Sequence, residues 1–537
     1  MKRTGYTMEI HLHPSGKSIT CLDDENLLPV LLKAGLPIDN NCNGKSKCGK
    51  CKIQIISGAL SEATETEKEL LTAEELCSGI RLACLTKATD NLTLSILTKE
   101  RRNRVLTSGY LPDFKPDFYA GGLGVVIDLG TTTVAASLID LSTGAELSVS
   151  SMLNPQKTYG LDVLTRISYE YEYPDTGVKL LQSSIVNALN EMLEELCQIG
   201  NADKTEIREI IVAANCTMLH MLLGVDARSI GKAPYRPVFT KAQIFSATDI
   251  GLVAGSDTEL YCLPSVSSYI GADIVAGVYV CQLKEFSGNA MFIDIGTNGE
   301  IALSGKGKLL CCSCAAGPAL EGMNISSGMR AADGAIENVS ITPENIELTV
   351  IGGKSPEGIC GSGILAAIKE MLQAEFIHKR GVFVKPDTLQ EDDFRLTHLA
   401  VDGTKRSLVL HAENPRILIT QKDVRQVQLA KGALLSGFKA LLDKAQIDME
   451  DLDKVLVAGQ FGAHLSVESL VGTGILPDTL KDKISYVGNT SMTGAYMALM
   501  SKKIKEEIDA LSEQMEYMEL AETENYERIL ADCLVFP

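Results

Sequence analysis

The chain has 537 residues, 45% hydrophobic and 22% charged, with a formal net charge of −19, an ordinary globular composition with length enough for three or four compact units. Such an acidic balance excludes a nucleic-acid partner, which needs a basic face to displace counterions, and no run of about eighteen apolar residues is available to cross a bilayer. Lys2 and Arg3 are followed by alternating polar and apolar residues rather than a signal core, so a cytoplasmic location is expected, and 15 cysteines then point to reduced thiols and cluster ligands more than to disulfides.

Alternating apolar residues predict strands over Thr7 to His13, Ser18 to Leu22, Cys51 to Ile56 and Leu92 to Leu97. A helix is expected near Leu27 to Lys33, and an amphipathic one from about Thr64 to Cys77. Within this stretch Cys42, Cys48, Cys51 and Cys84 follow the pattern C-x5-C-x2-C-x32-C. Gly44 and Gly49 bend the loop so that three thiolates within ten residues reach one two-iron two-sulfur (2Fe-2S) core, which a distant fourth closes. Four cysteines also suit tetrahedral zinc, but such sites usually come as two C-x2-C pairs, and the second pair is missing here. The spacing resembles that of adrenodoxin-like ferredoxins, with one residue more before the second cysteine than in the plant type. Cys77 and Cys84 compete for the fourth place. Cys77 ends the amphipathic helix, where a buried cysteine is inert packing, whereas Arg81-Leu82-Ala83-Cys84-Leu85 resembles the last-ligand segment of these ferredoxins and selects Cys84. That resemblance implies a small β-grasp, ferredoxin-like unit over residues 1–98.

Beyond Leu97 periodicity lapses. Lys99, Arg101, Arg102 and Arg104 precede Pro112, Pro116 and Gly121-Gly122, a composition that reads as a linker over 99–122. The basic knot is read as solvation of an exposed hinge, with steering of an acidic partner as the alternative.

Two similar motifs follow, 166 residues apart: Val126-Ile127-Asp128-Leu129-Gly130-Thr131-Thr132-Thr133 and Phe292-Ile293-Asp294-Ile295-Gly296-Thr297-Asn298-Gly299. Each is a buried strand, an acid, a glycine turn and a returning strand. Gly130 and Gly296 let backbone N–H groups approach a phosphate, Thr131, Thr132, Thr297 and Asn298 add donors, and Asp128 and Asp294 would hold a hydrated Mg2+. One Asp-x-Gly hairpin alone would be a weak signal, since such turns abound without a ligand; two copies make a clamp. A third element, Lys454 to Gly462, is an apolar strand running into a glycine turn with Gly459, Gln460 and Gly462. In this order the three resemble the phosphate-1, phosphate-2 and adenosine motifs of the actin-like ATPase superfamily. Gly271 to Gly277, with Asp273, and Asn489 to Ala495 resemble its connecting helices, where small residues let helices cross closely at a lobe hinge. The resemblance implies a multidomain α/β protein with a two-lobed, ribonuclease H-like ATPase, N-lobe 123–280 and C-lobe 281–537 with an inserted subdomain. By the same resemblance, ATP and Mg2+ would bind between lobes that close on nucleotide and reopen on hydrolysis. Asp128, Asp294 and Asp273 become the candidate catalytic carboxylates; which acid positions the attacking water stays open.

Cys314-Ala315-Ala316-Gly317 resembles the nucleotide loop of the ATP-dependent activators of acyl-CoA dehydratases, which puts Gly317 near the nucleotide. Gly358-Ile359-Cys360-Gly361-Ser362-Gly363 reads as a turn opening a helix, with Gly361 and Ser362 suited to phosphate or ribose. Cys314 and Cys360 would offer two thiolates to a second, shared cluster; the plainer account is buried small side chains beside the cleft. A helix over Lys422 to Ala445 carries Gln428 and Lys431, the latter either beside the base or facing solvent. The seven histidines show no metal spacing, and His220 and His464 are expected to be local hydrogen-bonding residues.

A ferredoxin passes electrons downhill without ATP, and a kinase needs no cluster; an uphill transfer needs both. For one electron, each ~59 mV uphill costs about 1.4 kcal/mol, which ATP can supply. The whole chain resembles the ATP-dependent reductive activators of corrinoid proteins. Matching segments beyond the cluster loop and the clamp are Asn215-Cys216-Thr217-Met218-Leu219-His220, Ala316 to Gly322, Gly328-Met329-Arg330-Ala331, Ile419 to Lys431 and the terminal Leu534-Val535-Phe536-Pro537. The resemblance implies that an electron from a low-potential donor passes by way of the 2Fe-2S cluster to inactive cob(II)alamin. The acceptor would sit on a methyltransferase corrinoid subunit or a corrinoid iron-sulfur protein, the product would be the cob(I)alamin nucleophile, and the chain would act as a homodimer. An activator of another low-potential reductase or dehydratase, and a non-enzymatic redox-sensing ATP-binding regulator, are the alternatives.

Overall fold

The computed structural model describes residues 7–14, 16–22, 25–34, 36, 38, 44, 46, 49–59, 61–88, 90–97, 109–118, 121–343, 345–459 and 465–537. The chain forms two compact units, Met1–Arg102 and Asn103–Pro537.

In the first unit, strands β1 (Thr7–His13), β2 (Ser18–Leu22), β3 (Lys52–Ser57), β4 (Ile80–Leu82) and β5 (Leu92–Ile96) form one sheet in the order β2-β1-β5-β3-β4. The central pair β1 and β5 is parallel and the others are antiparallel. Alternation puts Ile10, Leu12, Ile53, Leu92 and Leu94 on the buried face. They pack with Leu27, Leu28, Val30 and Leu31 of the helix Leu27–Lys33, whose start is capped by Asn26. The single helix expected from Thr64 to Cys77 is two, Glu65–Leu70 and Ala73–Cys77, because Thr64 with Glu67 and Thr72 with Glu75 each build a capping box. Cys77 is exposed at the second helix's end, not buried packing as its periodicity indicated.

Of the expected linker, residues 99–108 and 119–120, the basic knot among them, lie outside the described residues. Residues 109–118 are strapped to the second unit. Tyr110 N donates to Val487 O at 2.7 Å, Asp117 N to Met500 O at 2.6 Å, and Phe114 meets Tyr496 edge-on at 6.0 Å between centroids.

The second unit repeats one topology. Strands β6 (Leu123–Leu129), β7 (Thr133–Asp140), β8 (Glu146–Leu153), β9 (Ile207–Ala214), β10 (Gln243–Ser246) and β11 (Glu259–Cys262) form a sheet ordered β10-β11-β9-β6-β7-β8. After it come β12 (Ala290–Ile295), β13 (Gly299–Gly305) and β14 (Lys308–Cys314). Two small sheets follow, β15 (Ala335–Ile341), β16 (Ile346–Val350) and β17 (Gly358–Ile359), then β18 (Leu399–Asp402), β19 (Lys405–His411) and β20 (Ile417–Thr420). The chain then adds β21 (Lys454–Ala458), β22 (Ile484–Gly488) and β23 (Glu516–Tyr517), giving the order β22-β21-β12-β13-β14-β23. The runs β8-β7-β6-β9-β11 and β14-β13-β12-β21-β22 match pair for pair: two antiparallel ladders, then two parallel ones. Both central strands are buried on both faces. Along β12, Ala290 and Phe292 join the first lobe's core while Met291, Ile293 and Ile295 join the second, where they meet the helix Gln421–Ala445.

The chain returns to the first lobe near its end. Helix Thr490–Met500 is buried on nearly every side and helix Lys502–Ser512 on one, and their apolar residues complete the first lobe's core. Helix Thr490–Met500 crosses helix Ala272–Val280 at small residues, as expected. A Cβ at Gly494 would stand 2.6 Å from Ala276 Cβ, and one at Gly277 would stand 2.7 Å from Thr490 Oγ1. Gly494→Val should therefore force the helices apart and destabilise the second unit by about 1–3 kcal/mol; a denaturation midpoint equal to wild type would show that the crossing is not tight.

Candidate functional site

Cys51 stands immediately before β3 and Cys84 two residues after the end of β4; both are buried. Ala83 N donates to Cys51 O at 2.8 Å and Asn26 Nδ2 to Cys84 O at 2.6 Å, so the helix cap fixes the fourth cysteine's backbone. Cys42 and Cys48 lie outside the described residues. The loop that carries them passes through left-handed backbone at Gly44, Ser46 and Gly49 (φ 73°, 54° and 63°), and Ser46 Oγ comes within 3.6 Å of Cys84 Sγ. A loop curled back onto the distant cysteine is what a four-thiolate cluster requires, and these residues fit one.

Behind Cys84, sequence reasoning missed Glu67. Its carboxylate receives Arg81 Nε at 3.0 Å, Arg81 Nη2 at 2.9 Å and Leu82 N at 3.0 Å, almost out of contact with water. Burial by itself would raise the Glu67 pKa, but hydrogen bonds from Arg81 and the backbone outweigh it and hold the group below its ordinary value. The pair's contribution to stability is thus present above the ordinary carboxylate range and lost as pH falls below it. Glu67→Gln leaves the guanidinium buried and unpaired, so it should cost the first unit about 3 kcal/mol or more. The readout is early loss of cluster absorbance in denaturant, and coincident curves for variant and wild type would count against this assignment.

The second site is the cleft of the second unit. The β6–β7 turn contributes Gly130, Thr131 and Thr132, and the β12–β13 turn contributes Gly296, Thr297 and Asn298, with Asp294 at the end of its strand. Asp273, near the start of helix Ala272–Val280, and Gly361 and Ser362, opening helix Gly361–Gln373, complete the expected residues that line it. Thr131 is fixed twice: Asn215 Nδ2 donates to its Oγ1 at 2.9 Å, and Arg166 Nη2 to its carbonyl at 2.5 Å. Arg166 is fully buried, also bound to Gly160 O and Gln156 Oε1. Burial lowers its pKa to about 9, which keeps it cationic at neutral pH. Asn215, Arg166, Glu300, Glu321 and Arg330 were not among the expected site residues, although Glu300, Glu321 and Arg330 line the cleft and Asn215 does too.

Some expected residues stand elsewhere. Asp128 does not line the cleft; its two oxygens accept Asn489 Nδ2 and Ser491 Oγ, each at 2.8 Å. Gly317 is a left-handed turn (φ 76°) outside the lining, ahead of Glu321. Gly459 packs its backbone against Asp294, whose Oδ1 would be 2.3 Å from a Cβ there. Gln460, Gly462 and His464 lie outside the described residues. Lys431 is neither beside the cleft nor in solvent: it is buried, its Nζ donates to Val535 O at 2.6 Å, and burial lowers its pKa to about 8. Gln428 similarly donates to Leu534 O at 3.1 Å, so both anchor the terminal segment, whose Phe536 fills the core. Cys314 and Cys360 are buried small side chains, Cys360 in the cleft lining, which matches the plainer account of them, and His220 is a buried hydrogen-bonding residue stacked on Phe239.

Burial, then the neighbouring negative charges, raises Asp273 and Asp294 to about 7. Glu300 is driven well above its ordinary value for the same reasons. Asp273, Asp294 and Glu300 all line the cleft, but among the described residues no three metal-ligating side chains are gathered closely enough to hold an ion by themselves. Because the folded values lie above the unfolded value of 3.8, the associated stability is complete below that value and lost as pH rises through about 7. Chelator-treated protein should lose melting temperature between about pH 5 and pH 8, and Mg2+ should restore it at the alkaline end. A flat profile with or without Mg2+ would mean the acids do not act together.

Three family descriptions tile the chain. "2Fe-2S iron-sulfur cluster binding domain" matches residues 10–89, "RACo middle region" matches 123–286, and "C-terminal domain of RACo the ASKHA domain" matches 288–537. The chain is 29% identical to the corrinoid activation enzyme RamQ of Eubacterium limosum, over 92% of this chain and 93% of that one. It is 26% identical to a Co(II) methylated amine-specific corrinoid protein reductase of Methanosarcina barkeri, over 75% of each. Among solved structures, a reductive activator for corrinoid, iron-sulfur protein matches 99% of this chain and 98% of its own at 28% identity and a TM-score of 0.69. With its cysteine loop and duplicated hairpin cleft, the chain belongs to the RACo family.

Proposed function

We propose that the chain couples ATP hydrolysis to one-electron reduction of cob(II)alamin on a corrinoid protein, returning it to cob(I)alamin. The observation that carries this reading is the presence on one chain of a ferredoxin-type cysteine loop and a cleft built from two phosphate hairpins. The names of its relatives, corrinoid activation enzyme and corrinoid protein reductase, supply the acceptor. A 2Fe-2S cluster held by Cys42, Cys48, Cys51 and Cys84 supplies the one-electron carrier.

In the cleft, the turns at Gly130 and Gly296 present backbone N–H groups, and Thr131 and Asn298 present side-chain donors, to the phosphates of ATP, while Thr132 and Thr297 give their hydroxyl protons to Glu321. Asp273 and Asp294 would hold hydrated Mg2+, which relieves the repulsion that raises their pKa values. Helix Gly361–Gln373 opens on the cleft at Gly361 and Ser362, and a helix start suits a phosphate or a ribose hydroxyl. Asp128 acts as a positioning group, tying β6 to the start of helix Thr490–Met500. A low-potential donor, a methyltransferase corrinoid subunit or corrinoid iron-sulfur protein as partner and a homodimer complete the reading on the strength of the family resemblance, and a cytoplasmic location is added from the sequence pattern at the N-terminus.

Stopped-flow spectra of a corrinoid protein mixed with reduced wild type should show ATP-dependent loss of cob(II)alamin. Cys48→Ala should abolish it, and Asp294→Ala should slow it about a hundredfold or more while leaving the cluster spectrum intact. Wild-type rates of cobalt reduction with Asp294→Ala would sink the claim that ATP drives the transfer.

A further inference from the structure

The cleft contains one acid whose two oxygens are held from both lobes. Glu321 ends the short 3-10 turn Pro318–Glu321, anchored by buried Ala319 and Leu320 and bracketed by left-handed Gly317 and Gly322 (φ 76° and 77°). At Gly322 a Cβ would stand 2.2 Å from Met329 O, so the neighbouring backbone locks the turn. The Glu321 carboxylate accepts Thr297 Oγ1 at 2.5 Å on Oε1 and Thr132 Oγ1 at 3.3 Å on Oε2. One hydroxyl comes from each phosphate hairpin, and the carboxylate stands where the two converge.

The other acids are placed differently. Asp128 accepts Asn489 Nδ2 and Ser491 Oγ at the start of helix Thr490–Met500 and is not among the residues that line the cleft, whereas Glu321 is. Asp273 and Asp294 also line the cleft, where the proposed function gives them to Mg2+. Glu300 lies in β13, where it accepts Ser313 Oγ at 3.3 Å from the adjacent strand. Arg330 is also in the cleft lining.

Resting on the reading that the cleft hydrolyses ATP, we infer that Glu321 orients and deprotonates the water that attacks the terminal phosphate held between the two hairpins. The water oxygen bonds to the terminal phosphorus as the bond from that phosphorus to the bridging oxygen breaks, and ADP leaves with the electron pair. One water proton passes to the Glu321 carboxylate and then to solvent; the other stays on the phosphate product. Because the carboxylate is positioned by a hydroxyl from each lobe, its placement is complete only when both hairpins are in register, which makes hydrolysis depend on lobe closure.

The test uses the full-length, cluster-containing protein. Glu321→Gln keeps size and hydrogen-bonding reach but cannot take the proton, so kcat for ATP hydrolysis should fall about a hundredfold or more. KM for ATP and calorimetric ADP affinity should stay within about threefold of wild type. Wild-type kcat in Glu321→Gln overturns the assignment. So does a fall in KM at unchanged kcat, which would make the carboxylate a competitor of phosphate, and so does loss of ADP binding in both Glu321→Gln and Glu321→Asp, which would make it structural. Absence of hydrolysis in wild type would remove the ATPase reading along with this one, whereas the preceding outcomes remove only the role of Glu321.

Discussion

Two hydrogen bonds to one carboxylate hold the cleft's parts in register. Asn489 Nδ2 and Ser491 Oγ both donate to Asp128, and Asn489 Oδ1 also accepts Met492 N at 2.9 Å, capping helix Thr490–Met500. One side chain thus satisfies an orphan amide of the helix and an oxygen at the end of β6. The same helix lies across helix Ala272–Val280 with Gly494 against Ala276, and that second helix carries Asp273. The first hairpin and Asp273 are therefore referred to one crossing, and Asp294 joins them through β12, whose Phe292 abuts Gly277. Burial raises the Asp128 pKa while its two donors oppose the rise, so the tie is strongest with the group ionised.

The same cleft gathers negative charge in a chain that is already acidic. Asp273, Asp294 and Glu300 each carry a raised pKa traced first to desolvation and then to one another or to Asp128. An arrangement that disfavours its own ionisation lowers stability, and such features persist where a ligand or a cation relieves them. The counterweight beneath the first hairpin is Arg166, bound to the Gly160 and Thr131 carbonyls and the Gln156 amide oxygen. Placed there, its charge favours an anion at the turn while its hydrogen bonds stiffen the turn itself.

What the sequence made legible was local. Each phosphate hairpin is a contiguous strand, acid, glycine and hydroxyl, so both were found, and the duplicated sheets follow from them. Small residues in Gly271 to Gly277 and Asn489 to Ala495 announced a close crossing, which the Gly494–Ala276 approach bears out. Periodicity misled where it ran through a break: apolar spacing continues across Leu71 and Thr72, and only the second capping box, Thr72 with Glu75, marks the restart that leaves Cys77 exposed. Lys431 escaped because a lysine on an amphipathic helix reads as solvated, while its partner carbonyl lies 104 residues further on. Glu321 escaped for the same reason at greater range, since Thr132 is 189 residues away. Long-range pairing of polar groups leaves no periodic trace in a single sequence.

The position of Glu321 also bears on how a nucleotide could do work. A ligand shifts a conformational equilibrium only by its differential affinity for the two arrangements. Contacts made by one lobe alone contribute equally whether the lobes are open or closed. Thr132 and Thr297 meet at a single carboxylate, so a group at that junction is held by both lobes at once and by neither fully when they part. In the proposed function, the terminal phosphate is the part of ATP that ADP lacks, and a junction between hairpins is where that difference is felt across lobes. The residue that orients the attacking water would then stand at the contact that distinguishes the two nucleotides, and cleavage of the terminal bond would remove the cross-lobe tether in the same step.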